Sequence, residues 1–171
     1  FNNLFQNNWG AASYGLLLKE INDSEIKNNI FIKNTVGVNL EGSNRLTFEN
    51  NDFEKNGWGV RVRGASYNNK FKANNFINNS FDLSYNTDIN DNSFNENYWS
   101  DYVGYDLNKD GYGDVPYRPV KLYTYIVNKA PETIVLLRSL FVELINFSEK
   151  VSPIFTPDNL LDNKPIMSII R

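Results

Sequence analysis

Residues 71–79, FKANNFINN, carry a frame that runs through the first half of the chain. Phe71 is followed by an asparagine three residues on (Asn74), by Phe76 two further, and by Asn79 three beyond that. The same frame is met as Ile26, Asn29, Phe31 and Asn34, as Phe48, Asn51, Phe53 and Asn56, and as Ile89, Asn92, Phe94 and Asn97. Asn3, Phe5 and Asn8 are the end of an earlier copy. Phe5, Phe31, Phe53, Phe76 and Phe94 lie 26, 22, 23 and 18 residues apart, a period of the length that builds solenoids.

A second alternating segment follows each frame. Gly15, Leu16 and Leu18 form one, Gly37, Val38 and Leu40 the next, then Gly59, Val60 and Val62, and finally Leu83 and Tyr85 with Asp82 in the glycine's place. Alternation of period two turns one face of each strand inward. Leu46 with Phe48, and Asn69 with Phe71, suggest a third strand. Three short strands per repeat, with no helical pattern between them, predict an all-β fold: a right-handed parallel β-helix of about five turns, N-terminally truncated because the chain starts in mid-pattern at Phe1. At about 4.8 Å per turn the column is roughly 24 Å tall. Inward corner amides bond their equivalents one turn above and below, which assigns Asn29, Asn51, Asn74 and Asn92 to a structural ladder.

Composition narrows the chemistry. The 171 residues contain no cysteine and no histidine, and Met167 is the sole methionine, which excludes a disulfide framework, the usual zinc sites and histidine-based catalysis in this chain. The net charge of -3 indicates no nucleic-acid surface. It is unevenly placed, at -1 over residues 1–95, -4 over 96–117 and +2 over 118–171.

The acidic excess falls in NYWSDYVGYDLNKDGYGDVPYRP, residues 97–119. Tyr98, Trp99 and Tyr102 suit a lid over the open end of a column. Asp106, Asn108, Asp110 and Asp114 then stand at positions 1, 3, 5 and 9 of a calcium-type loop, with Gly111 at position 6 and the Tyr112 carbonyl at position 7. Position 12 is Tyr117, which cannot supply the closing carboxylate, and an ion-free turn rich in Asp and Asn is the competing reading. Repulsion among three carboxylates favours Ca2+ as a structural ion.

Beyond the cap, the stretch LYTYIV at 122–127 alternates as a strand would. Pro131 and Glu132 open a helix that runs from Thr133 to about Lys150, with Leu137, Leu140, Phe141 and Leu144 at helical spacing. No uncharged run of 18 residues exists, so a membrane span is not expected. The broad apolar face fits either packing on the flank of the β-helix or docking to a partner. Pro153, Pro157 and Pro165 turn the tail into an extended arm whose Ile154, Phe155, Leu160 and Met167 must dock on something. The organisation expected is repeats over 1–97, a cap over 98–130, and a helix with a docking arm over 131–171.

The repeats, the 97–119 motif, and above all LLRS at 136–139, Phe141, Val142, EKVSPIFTPDNL at 149–160, Asp162, Pro165 and Met167 resemble the NosD family. The resemblance implies a periplasmic or otherwise extracytoplasmic, non-catalytic β-helix protein. It implies a seat on the membrane subunit of an ABC transporter and a part in assembling the copper–sulfur centres of nitrous oxide reductase, with the reductase or a copper chaperone as further partner. It also implies partner contacts at Leu136, Leu137, Arg138, Phe141, Leu144, Ile154, Phe155, Leu160 and Met167. Copper finds no ligand set here beyond Met167. The rival function is a polysaccharide-binding or polysaccharide-processing surface protein, for which Arg61 and Arg63 beside Asp82 and Asp88 are the nearest candidate groups.

Overall fold

The computed structural model describes residues 1–86, 91–137, 139–151 and 160–170. The repeats wind into a parallel β-helix with three faces. The first face holds β1 (Leu4–Gln6), β4 (Ile30–Ile32), β7 (Asp52–Glu54), β10 (Asn75–Ile77) and β13 (Tyr98–Trp99). β2 (Tyr14–Lys19), β5 (Val36–Glu41), β8 (Trp58–Arg63) and β11 (Phe81–Tyr85) form the second, and β3 (Glu25–Lys27), β6 (Thr47–Glu49), β9 (Lys70–Lys72) and β12 (Ser93–Asn95) the third. Every pairing is parallel, and the register stacks Phe31 on Phe53 on Phe76.

The interior is a set of like-on-like columns. Phe5, Phe31, Phe53, Phe76 and Trp99 stack with ring centroids 4.2–5.1 Å apart, and Phe48, Phe71 and Phe94 make a second stack at 4.6–4.9 Å. Each fully buried ring contributes about 2–3 kcal/mol of transfer free energy, so these two stacks dominate the core. Sequence spacing alone aligns Phe94 with Phe76, but the stacks place Trp99 there and Phe94 above Phe71. The reason lies in the corners: inward asparagines recur every five residues, at Asn69, Asn74 and Asn79, so a frame shifted by five matches nearly as well.

The same shift corrects the ladder. Asn29 donates through N and Nδ2 to Asn51 Oδ1 at 3.0 Å, Asn51 to Asn74 Oδ1 at 3.0 and 2.9 Å, and Asn74 to Asn97 Oδ1 at 3.0 Å. Asn92 belongs to the neighbouring ladder, where it accepts from the Asn69 N–H at 2.8 Å. The residue before each corner amide has a left-handed backbone, with φ of 57° at Asn28, 54° at Asn50, 53° at Ala73 and 57° at Glu96. Asparagine tolerates that conformation, which explains the many Asn-Asn pairs.

After the cap the structure departs from the expected elements. LYTYIV is the start of a helix, α1 (Leu122–Lys129), and not a strand. Six residues are too few to separate the two periods, and Tyr123, Ile126 and Val127 also fit spacing i, i+3, i+4. Tyr123 and Val127 pack on Val36, Trp58 and Phe81, a row on the outer side of the second face. The single helix expected from 133 to 150 is divided into a 3-10 turn at Pro131–Leu136 and α2 (Leu140–Val151). Ser139 makes the break: its Oγ and carbonyl both accept from the Val142 N–H, the N-cap role that serine prefers to a helix interior.

Candidate functional site

Two features stand outside the column: the cap that closes its C-terminal end and the helical pair on its flank. In the cap, residues 160–170 are not a free arm. Asp162 occupies the place of the next ladder asparagine and is fully buried. Its Oδ2 accepts from the Asn97 N–H at 2.9 Å, Asn97 Nδ2 at 3.0 Å and Trp99 Nε1 at 3.0 Å, and its Oδ1 from the N–H groups of Glu96 and Lys164 at 3.1 Å. Five donors around one carboxylate end the ladder with its backbone groups satisfied. Leu160 is fully buried in the core beneath, so it offers no surface to a partner, contrary to the docking role expected for it. The Ile166 N–H bonds the Asn97 carbonyl at 2.9 Å, and the Met167 N–H bonds the Gly111 carbonyl at 3.0 Å, tying the tail to the acidic loop.

That loop is closed by its own backbone. Asp106 accepts from the N–H groups of Lys109, Asp110 and Gly111 at 2.6, 3.2 and 2.9 Å. Asn108 Oδ1 accepts from the Asp110 N–H at 3.0 Å, Asp110 Oδ1 from the Tyr112 N–H at 2.9 Å, and Asp114 Oδ2 from the Leu107 N–H at 2.7 Å. Gly111 takes φ of 89°, as position 6 of a calcium loop demands. As the loop is folded here, no group of three or more acidic side chains among the described residues gathers around one ion position. Asp106 Oδ1 already accepts two N–H groups, whereas Asp106 Oδ2 and the carboxylate oxygens of Asp110 and Asp114 keep a lone pair each, so the donor set remains that of a hard cation.

The helical pair presents a different chemistry. Val142 is buried, and Leu137 packs on the outer row of the second face, so these residues attach the helices. Leu137 therefore faces the column rather than a partner. The opposite side is open: Val135 is 84% exposed, Leu140 71%, Phe147 65%, Phe141 59% and Leu144 58%, with Leu136 also exposed. Leu140, Phe141, Leu144 and Phe147 recur at i, i+1, i+4 and i+7, a continuous stripe along α2. Met167 is exposed too, at the cap. Arg138, Ile154 and Phe155, three of the expected contacts, lie outside the described residues, as does Asp88.

The groups offered for polysaccharide chemistry do not converge. The Arg61 guanidinium lies 3.6 Å from the centre of the Trp58 ring on the outer side of the second face, whereas Asp82 is buried at the end of the column. Burial, with Arg63 beside it, lowers Arg61 to about 10, a value at which it still carries its charge at neutral pH.

Comparison with known proteins bears directly on this architecture. Residues 1–104 match the family described as "Periplasmic copper-binding protein (NosD)". This chain belongs to the NosD family. Relatives include two proteins named "Probable ABC transporter binding protein NosD". That of Stutzerimonas stutzeri is 27% identical over 113 residues, covering 64% of this chain and 26% of the relative. That of Pseudomonas aeruginosa is 33% identical over 69 residues, covering 40% of this chain and 16% of the relative. The chain thus spans about a quarter or less of the curated NosD proteins it matches. The family match ends at residue 104, short of the acidic loop and the helical pair. No helix among the described residues is long and apolar enough to cross a membrane. Copper does not fit this chain: without cysteine or histidine, the one soft ligand is the Met167 thioether, exposed and alone.

Proposed function

We propose that this chain is part of a non-catalytic, extracytoplasmic platform that docks on the membrane subunit of an ABC transporter through the stripe Leu140, Phe141, Leu144 and Phe147, together with Val135. The observation that carries the reading is this surface: the four stripe residues and Val135, each more than half exposed, on helices whose other side is already packed on the column. Contiguous apolar exposure of this kind marks an interaction surface. The transporter is the partner because both NosD relatives are named for binding one.

In this reading the transporter serves the assembly of the copper–sulfur centres of nitrous oxide reductase, and copper is handled by the reductase or a copper chaperone, not by ligands of this chain. Calcium in the 106–114 loop is structural and steadies the cap. The test is made in cells that produce the reductase, with the platform carrying Leu140→Ser, Phe141→Ser and Leu144→Ser together. The expected result is a stable platform lost from the membrane fraction and a reductase with depleted copper–sulfur centres. A fully loaded reductase in those cells would overturn the reading.

A further inference from the structure

A second exposed apolar row belongs to the cap rather than to the helical pair. Residues 102–107 alternate along the chain: Tyr102, Gly104 and Asp106 are half-buried, whereas Val103, Tyr105 and Leu107 are 80%, 55% and 77% exposed. Alternation of period two is that of an extended chain with one side turned out. The inner side is locked. The Tyr102 ring stands edge-on to Tyr117, and its hydroxyl donates to the Val115 carbonyl at 2.6 Å. That ring passes between two glycines, since a Cβ on Gly104 or Gly113 would lie 1.9–2.0 Å from the Tyr102 hydroxyl oxygen. The Asp114 N–H bonds the Tyr105 carbonyl at 2.8 Å, and the Leu107 N–H bonds Asp114 Oδ2 at 2.7 Å. Three large apolar side chains are therefore held out in water by a backbone pinned behind them.

One backbone edge of this segment is open. Successive residues of an extended chain turn their N–H and C=O groups to opposite sides. The Tyr105 carbonyl is turned to Asp114, so the groups of Gly104 and Asp106 point away from it, and they make no hydrogen bond among the described residues. An open edge beside outward apolar side chains is the surface that strand addition uses. Charge then selects the occupant. Residues 96–117 carry five acidic side chains against Lys109 alone, a net charge of -4 that a calcium ion in the loop would reduce only to -2. We propose that residues 102–107 are a docking edge for an extended segment of a partner protein in which apolar residues alternate with lysine or arginine. The backbone of that segment pairs with Gly104 and Asp106, its apolar side chains cover Val103, Tyr105 and Leu107, and its cations lie on the side of Asp106 and the acidic loop. An anionic segment of the same pattern is rejected by the carboxylates around the row. This edge is separate from the transporter docking assigned to α2 and does not rest on it.

The test titrates the whole chain into a labelled heptapeptide of alternating lysine and valine and follows fluorescence anisotropy. Two control peptides replace every lysine by glutamate, or the central residue by proline, which cannot pair along an edge. The lysine–valine peptide should bind tighter than either control by on the order of tenfold or more. The protein variant Val103→Ser with Leu107→Ser, in which both positions are exposed and α2 is untouched, should unfold in urea as the wild type does and lose that preference. Equal binding of the three peptides, no binding of the lysine–valine peptide, or full binding by the variant would overturn the proposal. Binding to phosphatidylcholine vesicles, or a dimer in sedimentation, abolished by the same two substitutions would give the row to a bilayer or to a second copy of the chain and would overturn it equally.

Discussion

Asp162 does for the end of the first ladder what Asn51, Asn74 and Asn97 do within it, and it does so from 65 residues further along the chain. Removing it leaves five donors without an acceptor inside the cap. Asp162→Ala should therefore destabilise the protein by about 3–5 kcal/mol in urea unfolding. Asp162→Asn, which keeps only one acceptor oxygen, should fall between the two. A cost near zero for the alanine variant would show that the ladder needs no terminal acceptor. The opposite sign is expected at Ala73, the corner residue held at φ of 53°. Ala73→Asn should stabilise by about 0.5–1 kcal/mol, since asparagine tolerates the left-handed region better. The corner amides were legible in the sequence because they repeat. Asp162 was not, because an aspartate standing in for an asparagine at such separation has no local frame around it. Asn92 differs from its expected place for the converse reason: the frame repeats too readily, at five residues as well as at about 22, and the structure sets Asn97 in the first ladder and Asn92 beside Asn69.

Short elements divide into those whose period was decisive and those whose period was not. The strands of the second face alternate over five or six residues and were legible, including the glycine position at which Asp82 later appears. LYTYIV satisfied two periods at once, and only the apolar groove made by Val36, Trp58 and Phe81 selects the helix. The helix expected over 133–150 carried its own break at Ser139, a capping residue inside an apolar run. For the acidic loop, spacing suggested an ion, and the structure adds that Asp106 also holds three backbone N–H groups. Asp106→Ala should thus cost about 1 kcal/mol even in chelator, the usual worth of lost hydrogen bonds at an exposed turn. Added calcium should raise the melting temperature of the wild type and not that of the variant. Identical melting with calcium and with chelator in the wild type would mean that the loop is an ion-free turn.

For the molecule as a whole, the β-helix was legible from the repeats, while the division of labour at its C-terminal end was not. The tail from 131 onward read as one docking segment because it is apolar throughout. The structure splits it: Leu160, Asp162 and Ile166 finish the column, Leu137 and Val142 attach the helices, and Leu140, Phe141, Leu144 and Phe147 remain exposed. Truncating the tail would therefore remove the cap together with the stripe and could not separate them. Surface substitution does separate them. The decisive measurement is the affinity of the platform for the detergent-solubilised membrane subunit of its transporter, comparing wild type with the triple variant Leu140→Ser, Phe141→Ser and Leu144→Ser. With circular dichroism and unfolding unchanged, the triple variant should lose affinity by about a hundredfold or more, since a few buried apolar anchors carry most of an interface's energy. Equal affinity of the two proteins would contradict it and would move the docking surface away from α2.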